Sequence, residues 1–277
     1  MSKRIPLAVV GAGRFGKFHI KSIKQHPLFD LLCVVDVCPQ ARAWAAAQGY
    51  PIKKSIEEIP EQVEAAVIAV PSSLHEAVAV PLLDRGIHLL VEKPLATTLA
   101  SLEKLLILSA EKNCILCTGH IERFNRPVSS LTKLPNKIEC IRYSTAEKNN
   151  TESFLDLMIH DIDLVAVMLN LDPARNFEVS TARLTRNGAE VFANIDGIQL
   201  YFLAKFNAER SYATVALHYN DSVEYLEPFN FSANAQDPLT QQYNSFYNKL
   251  EGKKSDIADG IAGMTAARRA IQISAML

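Results

Sequence analysis

Between Ile5 and Gly119 short apolar runs alternate with helical patterns, and few folds accommodate that order. The runs are IPLAVV, LLCVVD, AAVIAV, HLLVE and CILCTG; between them lie RFGKFHIKSIKQH, PQARAWAAAQG, SSLHEAVAVPLLDRG and TLASLEKLLILSAEKN. Runs that are apolar at successive positions, rather than at every other one, suit strands buried on both faces. Helices on both sides of a parallel sheet provide that burial, so the alternation predicts an α/β, doubly wound domain. In such sheets ligands lie beyond the carboxyl ends of the strands, which puts Pro71, His75, Glu92, Lys93 and His120 on the functional rim.

The first strand-to-helix connection reads VVGAGRFGKFH. Gly11 suits the turn, Gly13 the close approach of backbone to a pyrophosphate, and Gly16 tight packing of helix on strand; Arg14 and Phe15 open the helix whose N-terminus faces the phosphates. Asp36 ends the second run, twenty residues past Gly16, where a carboxylate accepts hydrogen bonds from ribose hydroxyls. It repels a 2′-phosphate, and Val37, Cys38 and Pro39 offer no offsetting cation, so NAD is expected in preference to NADP. The alternative makes the glycines a plain turn and Asp36 the cap of the next helix. Strand, turn, helix and carboxylate together predict an N-terminal Rossmann domain over residues 1–121.

The remainder, 122–277, reads differently. NKIECIRYST, FEVSTARLTR, EVFANI, GIQLYFLAKF, SYATVALHYN and SVEYLEP are successive strand candidates, and MTAARRAIQISAML is a closing amphipathic helix. Lys and Arg number 29 against 30 Asp and Glu, so no global field favours nucleic acid or an anionic membrane. No apolar run approaches the roughly 20 residues that span a bilayer. Five cysteines, an odd number, fit reduced thiols and a cytoplasmic protein; Cys114 and Cys117 read as core thiols on a strand rather than metal ligands.

Two places carry chemistry. In VEKPLA, Lys93 follows a buried strand and precedes a proline that cannot extend it, so the lysine stands at the cleft, where it can hydrogen-bond a substrate hydroxyl. The competing reading is a loop lysine paired with Glu92. In FLDLMIHDIDLVAVMLN, Asp156 and His160 are four apart and share a helix face, so the carboxylate can orient an imidazole acting as base. Asp161 and Asp163 raise a metal alternative, but they spread around the helix, and no metal is expected.

VVGAGRFGKFH, VVD, AVPSSLHEAV, VEKPLATTLASLEKLL, LDLMIHDIDLV and NKLEGKKSDIADGIAGMTAARRAIQIS occur in the order seen in the glucose-fructose oxidoreductase and inositol 2-dehydrogenase (Gfo/Idh/MocA) family, which this chain resembles. The glycine pair often found before D-x-x-x-H in that family is replaced here by NNTESFL. The resemblance implies Lys93, Asp156 and His160 as catalytic residues and NAD as cofactor. It also implies a C-terminal α/β domain with an open, mainly antiparallel sheet through which chains form a homodimer or homotetramer. GHIERFNRPV is most similar to the branch that oxidises the 3-hydroxyl of UDP-N-acetylglucosamine or its uronic acid. His120, Arg123 and Asn125 would then bind substrate, with Glu122 beside them; a hinge held by an Arg–Glu pair is the structural alternative. The expected activity is oxidation of a sugar hydroxyl, against a bilin reductase-like activity or a non-catalytic nucleotide-binding member.

Overall fold

The computed structural model describes residues 3–124, 131–147, 151–227 and 237–277, with 151–155 as backbone only. The chain divides into two compact units, Met1–His120 with Gln236–Met264, and Ile121–Ala235 with Thr265–Leu277. The first crossing falls one residue from the boundary expected at 121/122, but a later segment returns to the first unit.

In chain order the first unit contains β1 (Ile5–Val10), α1 (Arg14–Gln25), β2 (Phe29–Val35), α2 (Pro39–Ala47), β3 (Ile52–Lys53), β4 (Ala65–Ile68), α3 (His75–Asp84), β5 (His88–Glu92), α4 (Leu99–Glu111) and β6 (Leu116–Gly119). The second contributes β7 (Lys137–Tyr143), α5 (Thr151–Met168), β8 (Glu178–Thr185), β9 (Gly188–Ile195), β10 (Ile198–Lys205), β11 (Tyr212–His218) and β12 (Val223–Leu226). The chain then gives the first unit α6 (Pro238–Leu250) and β13 (Ala258–Asp259), and α7 (Gly260–Ser274) begins in one unit and ends in the other.

The first sheet has the order β13-β6-β5-β4-β1-β2-β3. All its neighbours are parallel except β13, which runs antiparallel to β6. All four residues of β4 are buried, as the unbroken apolar run requires. From β1 the chain first winds outward to β2 and β3, then continues on the other side with β4. The crevice at the carboxyl ends of β1 and β4 is the switch point where such sheets bind ligands. CILCTG forms strand only from Leu116, so Cys114 precedes β6 rather than lying on it, while Cys117 is buried within it.

The returning helix α6 explains why the first unit is not contiguous. Asp237 accepts from Thr240 N at 3.1 Å and Pro238 opens the helix, which fixes its start. Leu239, Tyr243, Phe246 and Tyr247 recur at helical spacing and form its buried face. Phe29 at the start of β2 packs on three of those rings, with centroids 5.7 Å away at Tyr243, 6.1 Å at Phe246 and 6.0 Å at Tyr247.

In the second unit the order is β12-β11-β7-β10-β9-β8. Its neighbours are antiparallel except β7 and β10, which pair in parallel from Gln199↔Lys137 to Lys205↔Tyr143. Burial along β7 alternates, with Ile138, Cys140 and Arg142 inward. α5 packs against β7, β9 and β10.

Candidate cofactor and catalytic site

The glycine turn is built for close approach. Gly11 has φ +99°, and a Cβ there would stand 2.6 Å from the Ala69 carbonyl oxygen. A Cβ at Gly16 would overlap the Gly11 carbonyl, so α1 can cross β1 only without a side chain there. Gly13 is the opposite case, with no atom within 4 Å of an added Cβ. It caps α1 without a side-chain hydrogen bond, which leaves the first-turn N–H groups and the positive end of the helix for an anion. That open cradle fits a pyrophosphate.

Asp36 lies just past β2. Its Oδ2 accepts from Ala12 N at 2.7 Å and its Oδ1 from Cys38 N at 2.7 Å. The N-cap of α2 is Cys38, so Asp36 ties the glycine turn to the end of β2 instead of capping the helix. Each carboxylate oxygen keeps a second lone pair for ribose hydroxyls. A cation does stand nearby, contrary to the reading from Val37, Cys38 and Pro39. α2 turns Arg42 back, and its Nη1 donates to the carbonyls of Asp36 at 3.0 Å and Val37 at 2.6 Å.

Along the rim, Arg14, Phe15 and Pro71 are exposed. His75 is buried, with Nδ1 2.8 Å from Pro94 O and Nε2 3.1 Å from Val70 O, so its ring links the loop after β4 to the one after β5. Burial holds its pKa below the ordinary imidazole value despite those carbonyls and the charge of Glu92. Lys93 is half-buried, and its backbone N donates to Glu92 Oε2 at 3.3 Å. Glu92 faces inward, where its Oε1 meets His19 Nε2 at 2.9 Å. His19 Nδ1 in turn lies 2.6 Å from the Tyr243 hydroxyl. Burial alone would raise the Glu92 carboxyl, but the hydrogen bond and charge of His19, with Lys93 and His75, outweigh it and hold it below the usual carboxylate range. His120 is buried just past β6.

Sequence reasoning passed over His19 and Tyr243. A signal for the first was present, because His19 shares the buried stripe of α1 with Gly16, Ile20 and Ile23, a polar residue where an apolar one would serve.

In the second unit Asp156 and His160 lie one turn apart on α5, both half-buried. The aspartates after His160 face arginines. Asp161 Oδ1 accepts from Arg142 Nη2 at 2.7 Å, and Arg142 Nη1 donates to Glu122 Oε1 at 3.0 Å. Burial would lower the Arg142 pKa, but Asp161 and Glu122 overcome it and raise it. Arg123 makes a two-pronged pair with Asp163, at 2.7 Å from Nε and 2.6 Å from Nη2. Glu122 is thus paired with Arg142, and Arg123 with Asp163. Asn125 lies outside the described residues.

Residues 5–120 match the profile of the oxidoreductase family with an NAD-binding Rossmann fold (GFO_IDH_MocA). By that match residues 5–120 belong to that family, and the chain is an NAD-dependent oxidoreductase. It is 24% identical to UDP-N-acetylglucosamine 3-dehydrogenase of Acidithiobacillus ferrooxidans, over 96% of this chain and 95% of that one. A structure of that enzyme superposes with a TM-score of 0.86 at 21% identity, covering 99% of this chain and 98% of the other. Inositol 2-dehydrogenase of Corynebacterium glutamicum is 32% identical over 60% of this chain and 54% of its own. Scyllo-inositol dehydrogenase of Lactobacillus casei, solved with NAD(H) and scyllo-inositol, superposes with a TM-score of 0.81 at 17% identity, over 97% and 95% of the two chains. Among the described residues no helix is long and apolar enough to cross a membrane.

Proposed function

We propose that this oxidoreductase oxidises a secondary hydroxyl of a sugar, and that its substrate is a UDP-N-acetyl-hexosamine oxidised at the 3-position. The observation that carries the reading is the pairing of VEKP at the end of β5 with D-x-x-x-H on α5, in a chain that aligns end to end with a UDP-N-acetylglucosamine 3-dehydrogenase. The cradle at Gly13, the first-turn N–H groups of α1 and the Asp36 carboxylate hold the cofactor, which when bound accepts the hydride. His160 takes the hydroxyl proton, Asp156 orients the imidazole, and Lys93 hydrogen-bonds the reacting oxygen. Glu92 and His75 shape the loop that presents Lys93. His120, Arg123 and Asn125 are assigned to substrate binding; Arg123 meets a diphosphate or carboxylate while sharing its guanidinium with Asp163.

The same reading makes the protein a cytoplasmic homo-oligomer that associates through the second sheet. On that sheet Phe192 is 39% and Tyr225 68% exposed. Light scattering after gel filtration tests it, and a monomer at working concentration excludes it.

The deciding assay incubates the protein with NAD and UDP-N-acetylglucosamine or its uronic acid and follows absorbance of the reduced nicotinamide. A coupled aminotransferase draws off the ketone product; in a parallel arm a 2-oxoacid reoxidises bound cofactor, and there the oxidised sugar is read by mass spectrometry instead of absorbance. Oxidation of a nucleotide sugar, nearly abolished in Lys93→Met while NAD affinity stays within a few-fold, is the expected result. If a free polyol or simple sugar is oxidised and neither nucleotide sugar is, the substrate assignment fails and the sugar dehydrogenase remains.

A further inference from the structure

We propose that His19 and Tyr243 are positioning residues for Lys93: the buried run Tyr243–His19–Glu92 fixes the Glu92 carboxylate, whose Oε2 accepts from the Lys93 backbone N–H at 3.3 Å, and so holds the lysine in place at the rim. The inference rests on the reading that Lys93 meets the substrate hydroxyl. Each link is geometric. Tyr243 and His19 are almost wholly buried, at 0% and 1% exposure. They bring α6 and α1 together on the last residue of β5, through contacts of 2.6 Å and 2.9 Å. An ionised carboxylate only accepts, so the ring nitrogen facing Glu92 carries hydrogen, while the other faces a hydroxyl that can donate or accept.

Gly119 on the neighbouring strand completes the enclosure. A Cβ there would lie 2.7 Å from Glu92 Oε1, so the absence of a side chain makes room for the carboxylate. The groups that face Glu92 are His19 from α1, His75 from α3, and Lys93 at its own strand end, with Tyr243 of α6 behind His19. A salt-linked loop lysine would need only Glu92. The two further elements held to that carboxylate make its placement a property of the whole unit, including the segment that returns from late in the chain.

The test reads the lysine directly and needs no substrate. Full-length protein is labelled with an amine-acetylating reagent at one fixed pH, and the rate at Lys93 is measured by mass spectrometry against that at the exposed Lys54. Loosening that carboxylate frees the half-buried lysine, so the rate at Lys93 in Tyr243→Phe, His19→Leu and Glu92→Gln rises by roughly threefold or more relative to wild type, with Lys54 unchanged. His19→Gln keeps an N–H donor at similar reach and raises the rate less. Tyr247→Phe removes from the same helix a hydroxyl that donates to Lys3 O at 3.3 Å, and it leaves Lys93 unmoved. Should His19→Leu not fold, Tyr243→Phe, which deletes a single oxygen, decides alone. Unchanged labelling in Tyr243→Phe, or an equal rise in Tyr247→Phe, overturns the inference. If the labelling rises but Lys93→Met turns over at the wild-type rate, the run positions a lysine that does no chemistry. The proposed function then fails and the positioning stands.

Discussion

The two units bury polarity in different ways. In the first, a phenol, an imidazole and a carboxylate form one hydrogen-bonded run ending beside a residue on the sheet's carboxyl rim. In the second, Arg142, 2% exposed on β7, meets Asp161 of α5 and Glu122 of the turn Ile121–Phe124. Removing such ions from water costs several kcal/mol each, which mutual attraction and complete hydrogen bonding repay only while all members are present. The charged cluster therefore rivets a strand, a helix and a turn together, whereas the hydrogen-bonded run tunes a position at the rim.

That contrast breaks most sharply at two adjacent residues. His160→Asn should lower turnover by about 10²- to 10⁴-fold with little change in the melting curve, since it removes a proposed base from a half-buried site. Its neighbour should do the reverse. Asp161→Asn or Arg142→Met should destabilise the protein by about 3–5 kcal/mol in urea unfolding, because each strands a buried charge. If Asp161→Asn melts like wild type, the cluster is not the rivet described.

Acid should separate the units next. His26, His75 and His88, all in the first unit, are held below the ordinary imidazole value, chiefly by burial. The unfolded chain binds protons at these groups from about pH 6.5 downward while the folded chain resists, so their contribution is present above that pH and lost as pH falls. Glu92 in the first unit and Glu139 in the second have lowered carboxyl values, which place their losses below about pH 4.3. Hydrogen exchange at mildly acid pH should therefore rise in the first unit before the second, and an equal rise in both would contradict the assignment. The smallest expected effect is on cofactor choice. Asp36→Ser should narrow the preference for NADH over NADPH by roughly tenfold, about 1.4 kcal/mol, with Arg42 left as the nearest noted cation. Dissociation constants for the two cofactors measure it.

Most of the first unit was legible because its signals are local. IPLAVV and HLLVE became β1 and β5 over the same residues, and the glycine turn needs only its own neighbourhood to be recognised. The second sheet was legible as strands, although the parallel pairing of β7 with β10 depends on long-range order that alternation does not encode. Arg42 was missed because a helix brings it back to Asp36 from six positions on. Helix α6 had a readable start at Asp237 and Pro238 and a readable face, yet nothing in PLTQQYNSFYNKL says that its rings pack on Phe29. Tyr243 was lost with that pairing, and with it the meaning of His19.

The return of Gln236–Met264 to the first unit also governs the order in which the protein can be made. A ribosome delivers Phe29 early, but Tyr243, Phe246 and Tyr247 reach it only after residues 121–235 of the other unit have emerged. During translation the nascent first unit thus carries an uncovered aromatic patch and a Glu92 without its full set of neighbours. Such exposed apolar surface is what chaperones hold and what aggregates when synthesis stalls. The unit that begins first on the ribosome is the one that finishes late.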